Sequence, residues 1–190
     1  PKQIEIVERL ISHQDSNDLL IIVDPIMGDD GKLYNGMNEE NIEIMRKLSS
    51  FADVLIPNYT EACFLVNKFI NTANLTYNDS TELLQECRNL GAKSIVITSV
   101  KIEEKNCVIG YDHITNECFI LEFDYIDVRF PGTGDIFSAV LAADLLNNSS
   151  LKEATKHAME IVKNLVQDNI DSNEKYLGVN IEKFIHEGKL

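Results

Sequence analysis

Basic residues are scarce in this chain: 17 Lys and Arg stand against 31 Asp and Glu, a formal net charge of −14. Non-specific nucleic-acid binding depends on cations that neutralise phosphates, so this balance argues against it. It argues equally against docking on anionic membrane surfaces. No apolar run approaches the roughly 18–20 residues that a bilayer-spanning helix needs. No secretory-signal pattern stands at the start. The four cysteines, Cys63, Cys87, Cys107 and Cys118, include no Cys-x-x-Cys pair. That spacing predicts reduced, mostly core thiols in a cytoplasmic protein. The four histidines, at 13, 113, 157 and 186, are scattered, which argues against a zinc site. Two glycine-loop signatures are missing too. A P-loop needs Lys directly after its second glycine, and none follows Gly134. The dinucleotide fingerprint needs a third glycine where this chain has Phe137.

What is present suits a globular domain. A length of 190 residues, 44% apolar and 25% charged, is enough for one domain with its own core. The opening residue is Pro1, inside a helical pattern. This predicts an N-terminally incomplete single domain over residues 1–190.

Ile4, Ile6, Val7, Leu10 and Ile11 recur at helical spacing and predict an amphipathic helix over 2–13. Gln14 to Asp18 reads as a polar turn. Leu19 to Val23 is a continuous apolar run, the pattern of a strand buried on both faces. It runs into Asp24-Pro-Ile-Met-Gly-Asp29. A helix is expected over 38–49 with Asn38 as cap, then a strand over 53–56. Pro57-Asn58-Tyr59-Thr60-Glu61 follows and leads into a helix over 60–68. Asn58 and Glu61 have capping-box spacing. After a buried strand they could instead form a pair that holds Mg²⁺ or its waters. A polar connection is expected over 71–78 and a helix over 79–90, stopped by Gly91. A third strand, 94–99, ends in Thr98 and Ser99. Residues 107–111 and 117–123 read as a hairpin at one sheet edge, with 112–116 as its loop. Helices are expected over 135–147 and 151–168, the second capped by Ser150 with Glu153 three positions on. A last turn or two is expected over 180–186.

Phe130-Pro-Gly132-Thr133-Gly134-Asp135 sits between the hairpin and the first of these late helices. Two glycines permit a tight turn that aims the N–H groups of a helix start at one point, which attracts anions. Asp135 puts negative charge at that point. A carboxylate there suits a base that takes a proton from a hydroxyl attacking a phosphate. The plain structural alternative is an acidic residue favoured by the helix dipole.

Strand–helix alternation followed by a hairpin and helices argues for a layered α/β domain. Three strands end in Asp24, Asn58/Glu61 and Thr98/Ser99, and right-handed crossovers put those ends on one sheet edge. In open α/β sheets, ligands gather at such ends. The ordered set Asp24-Pro-Ile-Met-Gly-Asp29, Pro57-Asn58-x-x-Glu61, Thr98-Ser99 and Gly132-Thr-Gly-Asp135 resembles the ribokinase-like superfamily. It is most similar to the pyridoxal/pyridoxamine kinases, and the resemblance covers nearly the whole chain from Leu19 on. The related hydroxymethylpyrimidine kinases share the Asp-Pro-x-Met opening, and many carry Cys where this chain has Asp135.

The resemblance implies a three-layer αβα fold with a mainly parallel sheet and an antiparallel edge hairpin. It implies ATP-dependent phosphorylation of the 5′-hydroxymethyl group of pyridoxal, pyridoxamine or pyridoxine, with Mg²⁺ and a monovalent cation, K⁺ or Na⁺. Asp135 would be the base, and the amides of Gly132, Thr133 and Gly134 the anion hole. Asp24 and Asp29 would lie near the ATP phosphates and cations, and Asn58 and Glu61 would act through Mg²⁺ and its waters. Tyr34 would sit on a flap over 29–35 that covers the phosphates. Thr98, Ser99 and Thr133 would contact phosphates or the monovalent cation. Family members hold the vitamin ring largely with N-terminal segments. The 190-residue chain alone is therefore expected to be weakly active or inactive, and the full-length protein to be a homodimer. The alternatives are a hydroxymethylpyrimidine or other small-alcohol kinase of this fold, and a noncatalytic nucleotide-binding module.

Overall fold

The computed structural model describes residues 2–13, 19–68 and 74–186. The polar turn expected over 14–18 and the start of the connection expected from 71 lie outside them. The chain divides into two compact units, Pro1–Phe123 and Asp124–Leu190.

The first unit is built on a five-stranded sheet of β1 (Ile22–Val23), β4 (Val54–Leu55), β5 (Ser94–Ile102), β6 (Lys105–Asp112) and β7 (Glu117–Phe123), side by side in that order. β1, β4 and β5 run parallel, and β6 and β7 continue the sheet antiparallel, so the hairpin ends one edge as expected. The connections carry α2 (Glu39–Ser49), α3 (Tyr59–Leu65) and α4 (Tyr77–Arg88), and α1 (Lys2–Ser12) opens the chain. A small separate hairpin, β2 (Gly28–Asp29) with β3 (Lys32–Leu33), follows β1.

One core cluster unites helices and sheet. Ile42 of α2, Ala62 and Leu65 of α3, and Leu83, Leu84 and Cys87 of α4 pack with Leu55, Ile95, Ile97, Val100 and Ile109. Val54, Val96 and Val108 alternate with those strand residues and are also buried. Period-2 alternation puts them on the other face of the sheet, so both faces of the central strands β4, β5 and β6 exclude water. Cys63, Cys87 and Cys107 are buried free thiols, and Cys118 is an exposed one.

Two expectations need correction. The apolar run 19–23 supplies only a two-residue strand, half-buried, and Leu19 is 40% exposed. The reason is position: among the described residues β1 ends the strand order and has β4 alone as its neighbour. Second, β5 does not stop at Ser99. It bulges between Ile97 and Val100, continues to Ile102, and turns back through Glu103 and Glu104, both at positive φ (47° and 68°). That two-residue turn has the twist favoured in hairpins but neither of the residues, Asn-Gly or Asp-Gly, that usually announce it.

The second unit carries α5 (Thr133–Leu146), α6 (Leu151–Asn169) and α7 (Ile181–His186). Ser150 caps α6 through a complete capping box with Glu153. Leu151, Ala154, Ala158, Ile161 and Leu165 are among its buried residues and recur at helical spacing. His157 of α6 meets Asp144 of α5 at 2.7 Å.

Candidate functional site

In the first unit, the ends of the three parallel strands lie next to one another in the sheet. Asp24 follows β1 and is half-buried. Asn58 follows β4 and forms an isolated parallel bridge with Thr98, whose N–H donates to the Pro57 carbonyl at 3.0 Å. Ser99 stands in the β5 bulge at φ 58°. The expected gathering of Asp24, Asn58, Thr98 and Ser99 at one sheet edge is therefore present within this unit.

Asn58 and Glu61 make the reciprocal capping box that their spacing predicts. The Glu61 N–H donates to Asn58 Oδ1 at 3.0 Å, and the Asn58 N–H donates to Glu61 Oε2 at 2.9 Å. Neither side chain stops there. Glu61 Oε1 accepts the Met27 N–H at 2.9 Å and the Gly28 N–H at 3.4 Å. Asn58 Nδ2 donates to the Gly28 carbonyl at 2.8 Å. The first turn of α3 thus anchors the chain where it enters the β2–β3 hairpin. Burial pushes the Glu61 carboxyl up to about 7, against the lowering pull of the three main-chain N–H groups, with Asp24 adding to the rise. A carboxyl this deeply buried binds its proton tightly because the charged form has lost water.

The β2–β3 hairpin holds Asp29 in β2, turns through Asp30 (φ 50°) and Gly31 (φ 76°), and leads to Tyr34. Gly28 pairs with Leu33, and a Cβ on Gly28 would sit 2.4 Å from the Lys32 carbonyl oxygen, so this close approach requires glycine. The Tyr34 N–H donates to the Met27 carbonyl at 2.9 Å, and the residue is 45% exposed. Partial burial, then the nearby charges of Asp29, Glu61, Asp24 and Asp30, raise the Tyr34 phenol above its ordinary value. The predicted residues Asp24, Asp29, Tyr34 and Glu61 therefore share one electrostatic neighbourhood. A cavity of about 170 Å³ opens beside the hairpin, lined in part by Asp29, Asp30, Thr60, Ser99 and Lys101. Among the described residues, no three His, Cys, Asp or Glu side chains are grouped so as to hold a metal ion.

Thr60 carries no expectation, and the expectation for residues 29–35 is a flap without strand pairing, whereas Gly28–Asp29 and Lys32–Leu33 pair as a hairpin. Asp30-Gly31 between Gly28-Asp29 and Lys32-Leu33 is the short-range hairpin signal that could have found it. No local signal marks Thr60.

In the second unit, α5 begins at Thr133 with Gly132 as N-cap at φ 87°, and no side chain caps this end. The Ile136 N–H donates to the Gly132 carbonyl at 3.1 Å, and the Thr133 hydroxyl donates to the Phe130 carbonyl at 3.3 Å. A helix start without a side-chain cap presents main-chain donors outward. A Cβ built at Gly132 or Gly134 meets no atom within 4 Å, so the space over this turn is open. Asp135 lies in the first turn and is exposed.

The family model described as phosphomethylpyrimidine kinase matches residues 1–180. The chain belongs to the phosphomethylpyrimidine kinase family. Pyridoxine kinase of Bacillus subtilis is 30% identical over 166 residues, covering 83% of this chain and 57% of that protein. A Bacteroides thetaiotaomicron protein, whose orthorhombic crystal form holds pyridoxal, superposes with a TM-score of 0.91. It is 30% identical and covers 100% of this chain and 68% of its own. Pyridoxal kinase of Bacillus subtilis in its ADP complex superposes with a TM-score of 0.70 at 26% identity, covering 91% of this chain and 64% of that one. The fold is thus the ribokinase-like one of the pyridoxal kinases. The chain spans about half the length of the curated relatives it matches. No helix among the described residues is long and apolar enough to cross a membrane.

Proposed function

We propose that the protein carrying this chain transfers the γ-phosphoryl group of ATP to the 5′-hydroxymethyl group of a pyridoxal-type vitamer. The observation that carries the reading is Asp135 in the first turn of α5, a helix that opens on Gly132 at φ 87° with no side-chain cap. Phosphoryl transfer asks the protein mainly for position and charge stabilisation. The Asp135 carboxylate accepts the proton of the attacking hydroxyl. The amides of Gly132, Thr133 and Gly134, with the Thr133 hydroxyl, receive the negative charge on the transferring group.

Asp24, Asp29, Tyr34, Asn58, Thr98 and Ser99 are the nucleotide-side residues. Tyr34 and the Thr98 and Ser99 hydroxyls are donors suited to phosphate oxygens. Asp24 and Asp29 are half-buried carboxylates suited to a cation or its waters. Both Glu61 oxygens already accept main-chain N–H groups, so Glu61 fits Mg²⁺ through water better than by direct ligation. Mg²⁺ then supplies charge neutralisation on the phosphate oxygens. A monovalent cation beside Thr98, Ser99 or Thr133 belongs to the same proposal, as do a cytoplasmic location and a full-length homodimer.

The test is ADP release by the protein over a panel of pyridoxal, pyridoxamine, pyridoxine and hydroxymethylpyrimidine. Pyridoxal-type vitamers should give the highest kcat/KM. The match to the phosphomethylpyrimidine kinase family favours hydroxymethylpyrimidine as the second reading, and a preference for it in the panel would replace the first. Nucleotide binding without turnover of any alcohol would reject both.

A further inference from the structure

The β2–β3 hairpin is too small to hold itself. Its strands have two residues each, and isolated two-stranded hairpins are marginal even when longer. Its base is fastened by Glu61 and Asn58 through Met27 and Gly28. Its tip is fastened separately: the Gly31 N–H donates to Thr60 Oγ1 at 2.9 Å. Thr60 is only 4% exposed, and its backbone belongs to α3, so the hydroxyl is a fixed point. Asp30 and Gly31 both sit at positive φ, and the Asp30 N–H is taken up locally by Asp29 Oδ1 at 2.8 Å. The Gly31 amide thus ties the tip to α3 through a buried hydroxyl.

We propose that Thr60 is a positioning residue for nucleotide, acting through the hairpin. One turn of α3 grips the hairpin at both ends: Asn58 and Glu61 at the base, Thr60 at the tip. This fixes where Asp29 and Tyr34 stand beside the cavity that Thr60, Ser99 and Asp29 line. Without the hydroxyl the base stays anchored and the tip loses this fastening. The nucleotide must then order the tip on binding, which weakens its affinity more than it slows the chemical step. The inference rests on the kinase reading for its consequence, though the fastening itself does not.

The experiment compares the protein carrying this chain in wild-type form with its Thr60→Val and Thr60→Ser variants. Valine keeps the shape and removes the acceptor; serine keeps the acceptor. Amide hydrogen exchange over residues 27–35 is followed together with Tm, and KM for ATP together with kcat. The expected result for Thr60→Val is exchange about five- to tenfold faster at the hairpin tip alone, with a similar rise in KM and kcat within about twofold. Thr60→Ser should restore both. Unchanged exchange at the tip overturns the fastening. Faster exchange throughout the chain, with a lowered Tm and no tip-specific effect, also overturns it in favour of a plain packing role. Faster tip exchange with unchanged KM overturns the positioning role. If wild type shows no turnover of ATP, the kinase reading fails and the positioning role with it, while the exchange data still decide the fastening.

Discussion

Glu61 reaches across 34 positions of sequence to accept the Met27 N–H at 2.9 Å, while its other oxygen closes the capping box on Asn58. One carboxyl thus fixes both the start of α3 and the entry to the β2–β3 hairpin. It does so while buried, and its folded pKa of about 7 lies above the ordinary 4.5. Between those values the folded chain holds a proton that the unfolded chain has released. The Glu61 contribution to stability is therefore full below about pH 4.5, falls as pH rises through 7, and is level above that. A shift of this size corresponds to on the order of 3 kcal/mol. Glu61→Gln should flatten that fall. It also costs about 1–2 kcal/mol at pH 5, because an amide can accept at one end only and leaves a main-chain N–H facing its NH₂. Urea midpoints between pH 4.5 and 8 check this. Parallel curves for the two proteins would take Glu61 out of the linkage.

Asp135 is exposed, so its removal should spare the fold. Asp135→Asn keeps the size and removes the base, and turnover should fall by roughly 10²–10⁴-fold. Binding of a non-hydrolysable ATP analogue should be nearly unchanged. Loss of a first-turn carboxylate costs the helix about 0.3–1 kcal/mol, too little to account for lost activity through unfolding. Turnover near that of wild type would remove Asp135 from the chemistry.

Gly132 and Gly134 make a controlled pair. Both have open space where a Cβ would go, but only Gly132 has a left-handed backbone, at φ 87°. Gly132→Ala should therefore cost about 1–2 kcal/mol through backbone strain alone. Gly134→Ala, at the second position of a helix, should be neutral or slightly stabilising. Thermal melts of the two variants separate these outcomes. For the proposed anion hole, a distorted Gly132 turn should also lower kcat by about 10²–10³-fold.

What could be read from sequence was whatever is decided within a few residues. The caps at Asn38, Asn58 and Ser150 each depend on a residue three positions away, and all three form. The buried strand around Ile95 and the helix of Ala154, Ala158 and Ile161 follow from periodicity. The half-burial of β1 did not follow, because an apolar run is the same in a central and an edge strand. The Glu103–Glu104 turn was hidden because its residues lack turn chemistry and β-sheet pairing enforces their backbone. The roles of Glu61 towards Met27 and of Thr60 towards Gly31 are contacts about thirty positions apart, with no trace in local spacing. For Asp24, Asn58 and Thr98, parallel topology did the work: once the strands are parallel neighbours, their ends must adjoin.

The same contrast between local pattern and cross-strand fit sets a prediction for the edge hairpin. Gly110 of β6 pairs with Phe119 of β7, and a Cβ on Gly110 would lie 2.2 Å from the Phe119 ring tip and 2.7 Å from both Cε atoms. The ring therefore lies over the glycine, and Phe119 is buried. A strand glycine covered by a cross-strand aromatic ring keeps water off the backbone and pins the register. Gly110→Ala must displace the ring and should cost about 1–3 kcal/mol, lowering Tm by roughly 2–12 °C at about 2–4 °C per kcal/mol. Phe119→Leu should also destabilise, by lost burial. Because the alanine's penalty comes from the ring, the double variant should be less destabilised than the sum of the singles, by at least about 0.5 kcal/mol. Strict additivity in that cycle would mean that the two residues do not meet.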